Sequence, residues 1–137
     1  MSYLLDTNVV SELSRRKPAA AVLKWLDQVP YQTIYLSVLT VGALRQGVER
    51  LVDGEQKERL RRWLEADVPA WFGERFLPIT PAIADRWGRL VAESRRSVPE
   101  VDSLLAATAL HHDLRLVTRN EADFRLPGLT VINPWTL

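Results

Sequence analysis

Asp6 closes an apolar stretch in LLDTNVVSEL (residues 4–13), and Asp102 stands among apolar and small residues in VPEVDSLLAATAL (98–110). Burying a carboxylate in such company is costly unless a cation compensates it. Carboxylate oxygens suit Mg2+ or Mn2+. A third cluster, LVTRNEADF (116–124), presents Thr118, Asn120, Glu121 and Asp123 just after an apolar run. Each feature also has a plainer structural use. Asp6 or Asn8 would cap the helix that follows. An acid in the first turns of a helix suits the helix dipole, which covers Asp102. The 116–124 segment is an ordinary polar loop with room for an Asx turn.

Other chemistries find no support. The chain has no cysteine, hence no disulfide, thiolate metal site or thiol nucleophile. That fits a reducing cytoplasm, the expected location. His111 and His112 are neighbours on one helical stretch, without the i, i+4 partner a helical metal site uses, and are expected at the surface. The six glycines are scattered and form no phosphate loop. The five tryptophans are expected in the core and its rim. Net charge is +1, from 18 basic and 17 acidic residues, so strong non-specific attraction to nucleic acid is not expected. Any RNA contact must use local clusters: Arg15-Arg16-Lys17 and Arg95-Arg96. Solvated helix ends are the competing reading of both.

The elements that must position these residues alternate. Tyr3–Leu5, Thr33–Leu36, Phe76–Ile79, Leu116–Thr118 and Leu129–Ile132 have the length and composition of strands. Helices are expected over 8–14, from Pro18 to about Gln28, over 38–51, over 55–66, from Pro81 to about Arg95, and over 101–111. Val22, Leu23, Trp25 and Leu26 form the expected inner face of the second helix. Ser97-Val98-Pro99-Glu100 has the form of a capping box before the last helix. With 137 residues, 47% of them apolar, the chain is sized for one domain, residues 1–137. It has no apolar run long enough to span a membrane. Its first residues lack the basic region of a signal peptide. Strands separated by helices predict a three-layer α/β fold, a central and mostly parallel sheet flanked by helices. Ligand sites in such folds lie beyond the carboxyl ends of the strands, where Asp6, Arg119 and Asn120 fall.

Taken together, LLDTNVVSEL, LSVLTVGALRQGVERL (36–51), VDSLLAATALHHDLRLVTRNEADF (101–124) and the ending VINPW resemble the PIN-domain family, in particular its VapC and FitB-like toxins. The match runs nearly the whole chain. The resemblance implies a Mg2+- or Mn2+-dependent endoribonuclease in which metal-activated water attacks an RNA phosphodiester in line. It places Asp6 and Asp102 as metal ligands and Asn120 at the fourth acid position. Thr7, Asn8, Ser37 and Thr118 become supporting hydrogen-bonders. The second acid position falls on Ala43, where relatives carry Glu as in VGEL and this chain reads VGAL. Ala43 cannot bind metal or handle water, so catalysis is expected to fall ~10²-fold or more. Three accounts follow: an introduced substitution that disarms a toxin, which is favoured because the surrounding motif is intact; a naturally weakened nuclease; or compensation by Glu12, Glu121 or Asp123. The resemblance also implies a VapB-like antitoxin, whose basic side chain would replace the cation between the acids, and a homodimer. The rival reading is a non-catalytic PIN-fold module that binds RNA or protein.

Overall fold

A computed structural model describes residues 1–137. Five strands, β1 (Tyr3–Leu5), β2 (Ile34–Ser37), β3 (Phe76–Leu77), β4 (Arg115–Val117) and β5 (Val131–Ile132), form one sheet in the order β3-β2-β1-β4-β5. Every pairing is parallel. The expected strands are therefore present, β1 with the expected bounds and the other four displaced or trimmed by one to a few residues.

Seven helices complete the fold: α1 (Thr7–Leu13), α2 (Ala20–Gln28), α3 (Val38–Glu49), α4 (Glu55–Arg62), α5 (Val68–Phe72), α6 (Pro81–Glu93) and α7 (Glu100–His112). Side chains alternate across β1 and β4 as the pleat requires. Tyr3, Leu5 and Val117 enter a core with Val9 and Val10 of α1, Trp25 of α2, and Leu44 and Val48 of α3. Leu4 and Leu116 enter a second core, on the opposite face, with Leu105, Ala106 and Ala109 of α7. Leu4, Leu5, Leu36 and Leu116 are fully buried, each contributing about 1.5–3 kcal/mol of hydrophobic stabilisation. Two cores on one sheet give the expected three layers.

Four local expectations are corrected. α2 begins at Ala20 rather than Pro18, because the Ala19 N–H is held by the Glu12 carboxylate at 2.8 Å and Ala19 becomes the cap. Leu23 lies 40% exposed, outside the inner face of α2 formed by Val22 and Trp25. The charged helix does not stop at Ala66. It widens into a π-helical turn, Trp63–Asp67, and continues through Pro69 to Gly73, whose φ of 51° ends it. The Ser97–Glu100 capping box does not form. α7 starts at Glu100 with Pro99 at the cap position, so Ser97 lies too early to reach the first-turn N–H groups.

Three contacts fix the helices that flank the site. Arg45 of α3 reaches Glu65 at 2.9 Å, and Arg61 of α4 reaches Glu49 at 2.7 Å, tying α3 to the helix after it. The Trp87 indole N–H of α6 donates to Ser103 Oγ of α7 at 2.8 Å. No helix is long and apolar enough to cross a membrane.

Candidate metal centre

The register of the sheet builds the site. β1 pairs β4 with Leu5 opposite Val117, so the next residues, Asp6 and Thr118, emerge side by side at the carboxyl edge. The chain order reverses between these two strands: β2 and β3 extend the sheet on one side of β1, β4 and β5 on the other. Such a switch point opens a crevice for ligands.

Asp6 is 6% exposed and serves two purposes at once. It is the N-cap residue of α1, with Oδ1 accepting from the Thr7 N–H at 2.7 Å. Its Oδ2 accepts from the Thr118 hydroxyl at 2.8 Å and, more weakly, from Asn8 Nδ2 at 3.4 Å. Asn8 also donates to Thr118 Oγ1 and accepts from the Arg119 N–H. Burial raises the Asp6 carboxyl above its ordinary value; the Thr118 hydroxyl and Thr7 N–H oppose the rise, and Asp123 adds to it. The capping reading of this residue is satisfied, and capping occupies Oδ1 while Oδ2 faces Thr118 and Asn8.

Asp102, in the first turn of α7, is half-buried, and its carboxyl is pushed up to about 6. Burial is the main cause, followed by the charges of Asp6 and Asp123. The mutual repulsion shows that these three carboxylates share one electrostatic neighbourhood. Asn120 donates from Nδ2 to Asp123 Oδ2 at 2.9 Å, so it positions that acid.

The remaining residues divide. Thr7 and Ala43 line one groove, which brings the acid-lacking position of α3 alongside the start of α1. Ser37 is fully buried, and its Oγ accepts from the Leu39 N–H as the cap of α3; it supports the helix bearing Ala43 and makes no bond to an acid. Glu12 is turned away. It is buried near the far end of α1, its oxygens held by the Ala19 N–H and Arg15. Glu121 accepts from Asn133 Nδ2 at 3.1 Å and is exposed. Of the acids considered as replacements for a residue-43 carboxylate, Asp123 alone acts electrostatically on Asp6 and Asp102.

Sequence reasoning gave no role to Asn133 or Trp135. Asn133 is buried, with Nδ2 reaching the Arg119 carbonyl and Glu121 and Oδ1 accepting from the Trp135 N–H. Trp135 lies under the Arg119 guanidinium at 5.2 Å. The VINPW ending thus braces the loop after β4. An amide amid an apolar strand end was the available signal.

No three acids stand close enough to cage a metal by themselves. The arrangement fits an ion held by one or two carboxylates, with water filling the rest of its shell, as Mg2+ is commonly bound. Asp6 and Asp102 would hold it. It would supply charge neutralisation and an activated water. Asp6 is oriented for this by three donors, and Asp102 would shed its raised affinity for a proton once a cation sat beside it.

Residues 3–128 match the PIN domain family. The chain is 36% identical over 135 residues to the VapC ribonuclease Y4jK of Sinorhizobium fredii, covering 96% of each. It is equally identical to toxin FitB of Neisseria gonorrhoeae, over 96% of this chain and 97% of that protein. The crystal structure of FitAcB from the same organism superposes with a TM-score of 0.91, covering 98% of this chain and 99% of that one. A toxin-antitoxin complex from Klebsiella pneumoniae contains a chain 30% identical, with a TM-score of 0.67 over 97% of this chain and 98% of that one. This chain belongs to the PIN domain family, on its VapC and FitB branch.

Proposed function

We propose that this protein is the toxin of a VapBC-like toxin–antitoxin module, a divalent-metal-dependent endoribonuclease whose activity is weakened by Ala43. One observation carries the reading. A buried carboxylate, Asp6, is held by Thr118 and Thr7 at the sheet's switch point within the field of Asp102 and Asp123. Acids gathered and mutually destabilised in this way call for a cation. The printed names of the VapC ribonuclease and toxin FitB support RNA hydrolysis as the reaction.

In this reading Asp6 and Asp102 hold Mg2+ or Mn2+, Asn120 keeps Asp123 in place, and Thr118 with Asn8 fixes the Asp6 carboxylate. A VapB-like antitoxin would set a basic side chain between Asp6 and Asp102. That contact does not need a carboxylate at residue 43. Antitoxin capture by this chain is therefore expected to persist when catalysis is weak, and its loss in a pull-down with the cognate antitoxin would count against the reading. Self-association into a homodimer belongs to the same proposal.

The test of the metal site is calorimetric titration with Mn2+. Weak binding is expected, abolished in Asp6→Asn and strengthened at least tenfold in Ala43→Glu. Identical binding in all three chains would refute the assignment. One observation favours the rival, a non-catalytic PIN-fold module: no three acids form a cage. An Ala43→Glu chain that binds no metal would support it.

A further inference from the structure

The Arg15-Arg16-Lys17 run lies apart from the acids, in a cleft of about 490 Å³ between the end of α1 and the start of α4. Arg15, Arg16, Lys17 and Arg59 line it against a single acid, Glu55. Arg16 and Lys17 are exposed and make no ion pair. In a chain with a net charge of only +1, this is a concentrated positive field.

The cleft is braced from beneath. Buried Glu12 grips both ends of the loop, accepting from the Ala19 N–H at 2.8 Å and from Arg15 at 3.3 Å. Arg59 Nη1 donates to the Ser14 carbonyl at 2.9 Å, which joins the two walls. The cations are thus presented on a held loop, which reduces the ordering needed to bind an anion.

The cleft also has a path to the acids. A mostly apolar groove runs between α1 and α3, with Thr7, Ser11 and Ser14 on one flank, Ala43 and Gly47 on the other, and apolar side chains such as Leu44 and Trp63 making up the rest of its lining. Spacings of four and three place the three hydroxyl residues on one face of α1. The groove and the cleft share Ser14 and Leu60. Asp6 caps one end of α1 and the cations follow its other end, a separation of roughly 10 Å for seven residues.

We propose that this cleft binds a backbone phosphate of a single-stranded RNA whose scissile bond lies at Asp6 and Asp102. The inference rests on the nuclease reading and specifies its substrate track. Four cations at one end of the track and a scissile phosphodiester at the other call for an anion that carries more than one phosphate. A single strand is the occupant, because its flexible backbone can follow both the cationic cleft and the groove that joins it. Phosphate contacts of this kind position a strand without reading its sequence.

The experiment measures fluorescence anisotropy of a labelled 12-nucleotide single-stranded RNA with the chain as it stands, in chelator, across a range of NaCl. The Arg16→Ala/Lys17→Ala variant is compared with Arg89→Ala, which removes an exposed cation of α6 paired with Asp85. Circular dichroism melts confirm that both variants fold. The double variant is expected to bind about tenfold more weakly, with the log–log salt slope reduced by about 1, since each single-strand phosphate contact contributes about 0.7. Arg89→Ala is expected to leave both unchanged. Equal effects from the two variants, or none from either, would overturn the cleft while leaving the nuclease reading standing. An acidic peptide that loses binding in the double variant while RNA does not would also overturn it. Failure of the unmutated chain to bind RNA at all would overturn the nuclease reading, and this proposal with it.

Discussion

Thr118 Oγ1 and Asp6 Oδ2 meet at 2.8 Å, although 112 residues of chain separate them. The same hydroxyl oxygen accepts from Asn8 Nδ2 and from the Asn120 N–H, so one buried group joins α1, β1 and the loop after β4. Thr118→Val keeps the shape and removes the hydroxyl. The variant is expected to lose about 1–3 kcal/mol of stability, because buried donors are left without a partner. It is also expected to bind Mn2+ some 10–100-fold more weakly, as support for a metal ligand usually counts. Denaturant melts and calorimetry measure the two effects separately.

Asp102 links stability to pH. Its carboxyl rises from an ordinary value of 3.8 to about 6 in the folded protein. Proton binding therefore favours the folded state. The contribution is fully present below 3.8 and is lost as pH rises through about 6. Asp102→Asn removes the repulsion without the proton. In chelator it is expected to raise Tm by about 3 °C at pH 7.5, corresponding to roughly 1 kcal/mol once solvent screening of this half-exposed group is allowed for. Near pH 4 the gain is expected to vanish. An equal gain at both values would show that charge repulsion is not the cause.

Glu12 is expected to matter for the loop and not for metal. Its carboxylate holds the Ala19 N–H and Arg15, at the end of α1 away from Asp6. Glu12→Ala should lower the urea midpoint by an amount equivalent to about 1–3 kcal/mol at unchanged m. Mn2+ affinity should not move. Glu12→Gln, which keeps an acceptor for Ala19, is expected to recover most of the loss.

The features legible in the sequence were local ones. An acid ending the apolar run Tyr3–Leu5 marked both a strand edge and a helix cap, and Asp6 is both. Alternation of short apolar runs with helical patterns gave the parallel sheet, because hydrophobic periodicity reflects which faces are covered. The failures came where a residue's partner is remote in sequence or where two local rules compete. Glu12 looked available to the metal site, but the Ala19 N–H seven residues on takes its carboxylate. Glu100 fits a capping box with Ser97 by spacing, yet α7 begins at Glu100 itself with Pro99 at the cap position. Asn133 was overlooked because its partners, Arg119 and Glu121, are brought to it only by β5 pairing alongside β4.

Ala43 is the residue on which the weakened nuclease activity turns. The decisive measurement is RNA cleavage by this chain and by Ala43→Glu, both free of antitoxin, with Mn2+ and with chelator. The Glu variant is expected to cleave at least ~10²-fold faster than the unmutated chain, and chelator should abolish the difference. If neither chain cleaves any member of a broad RNA panel, the nuclease reading is contradicted and a binding role for the PIN fold takes its place.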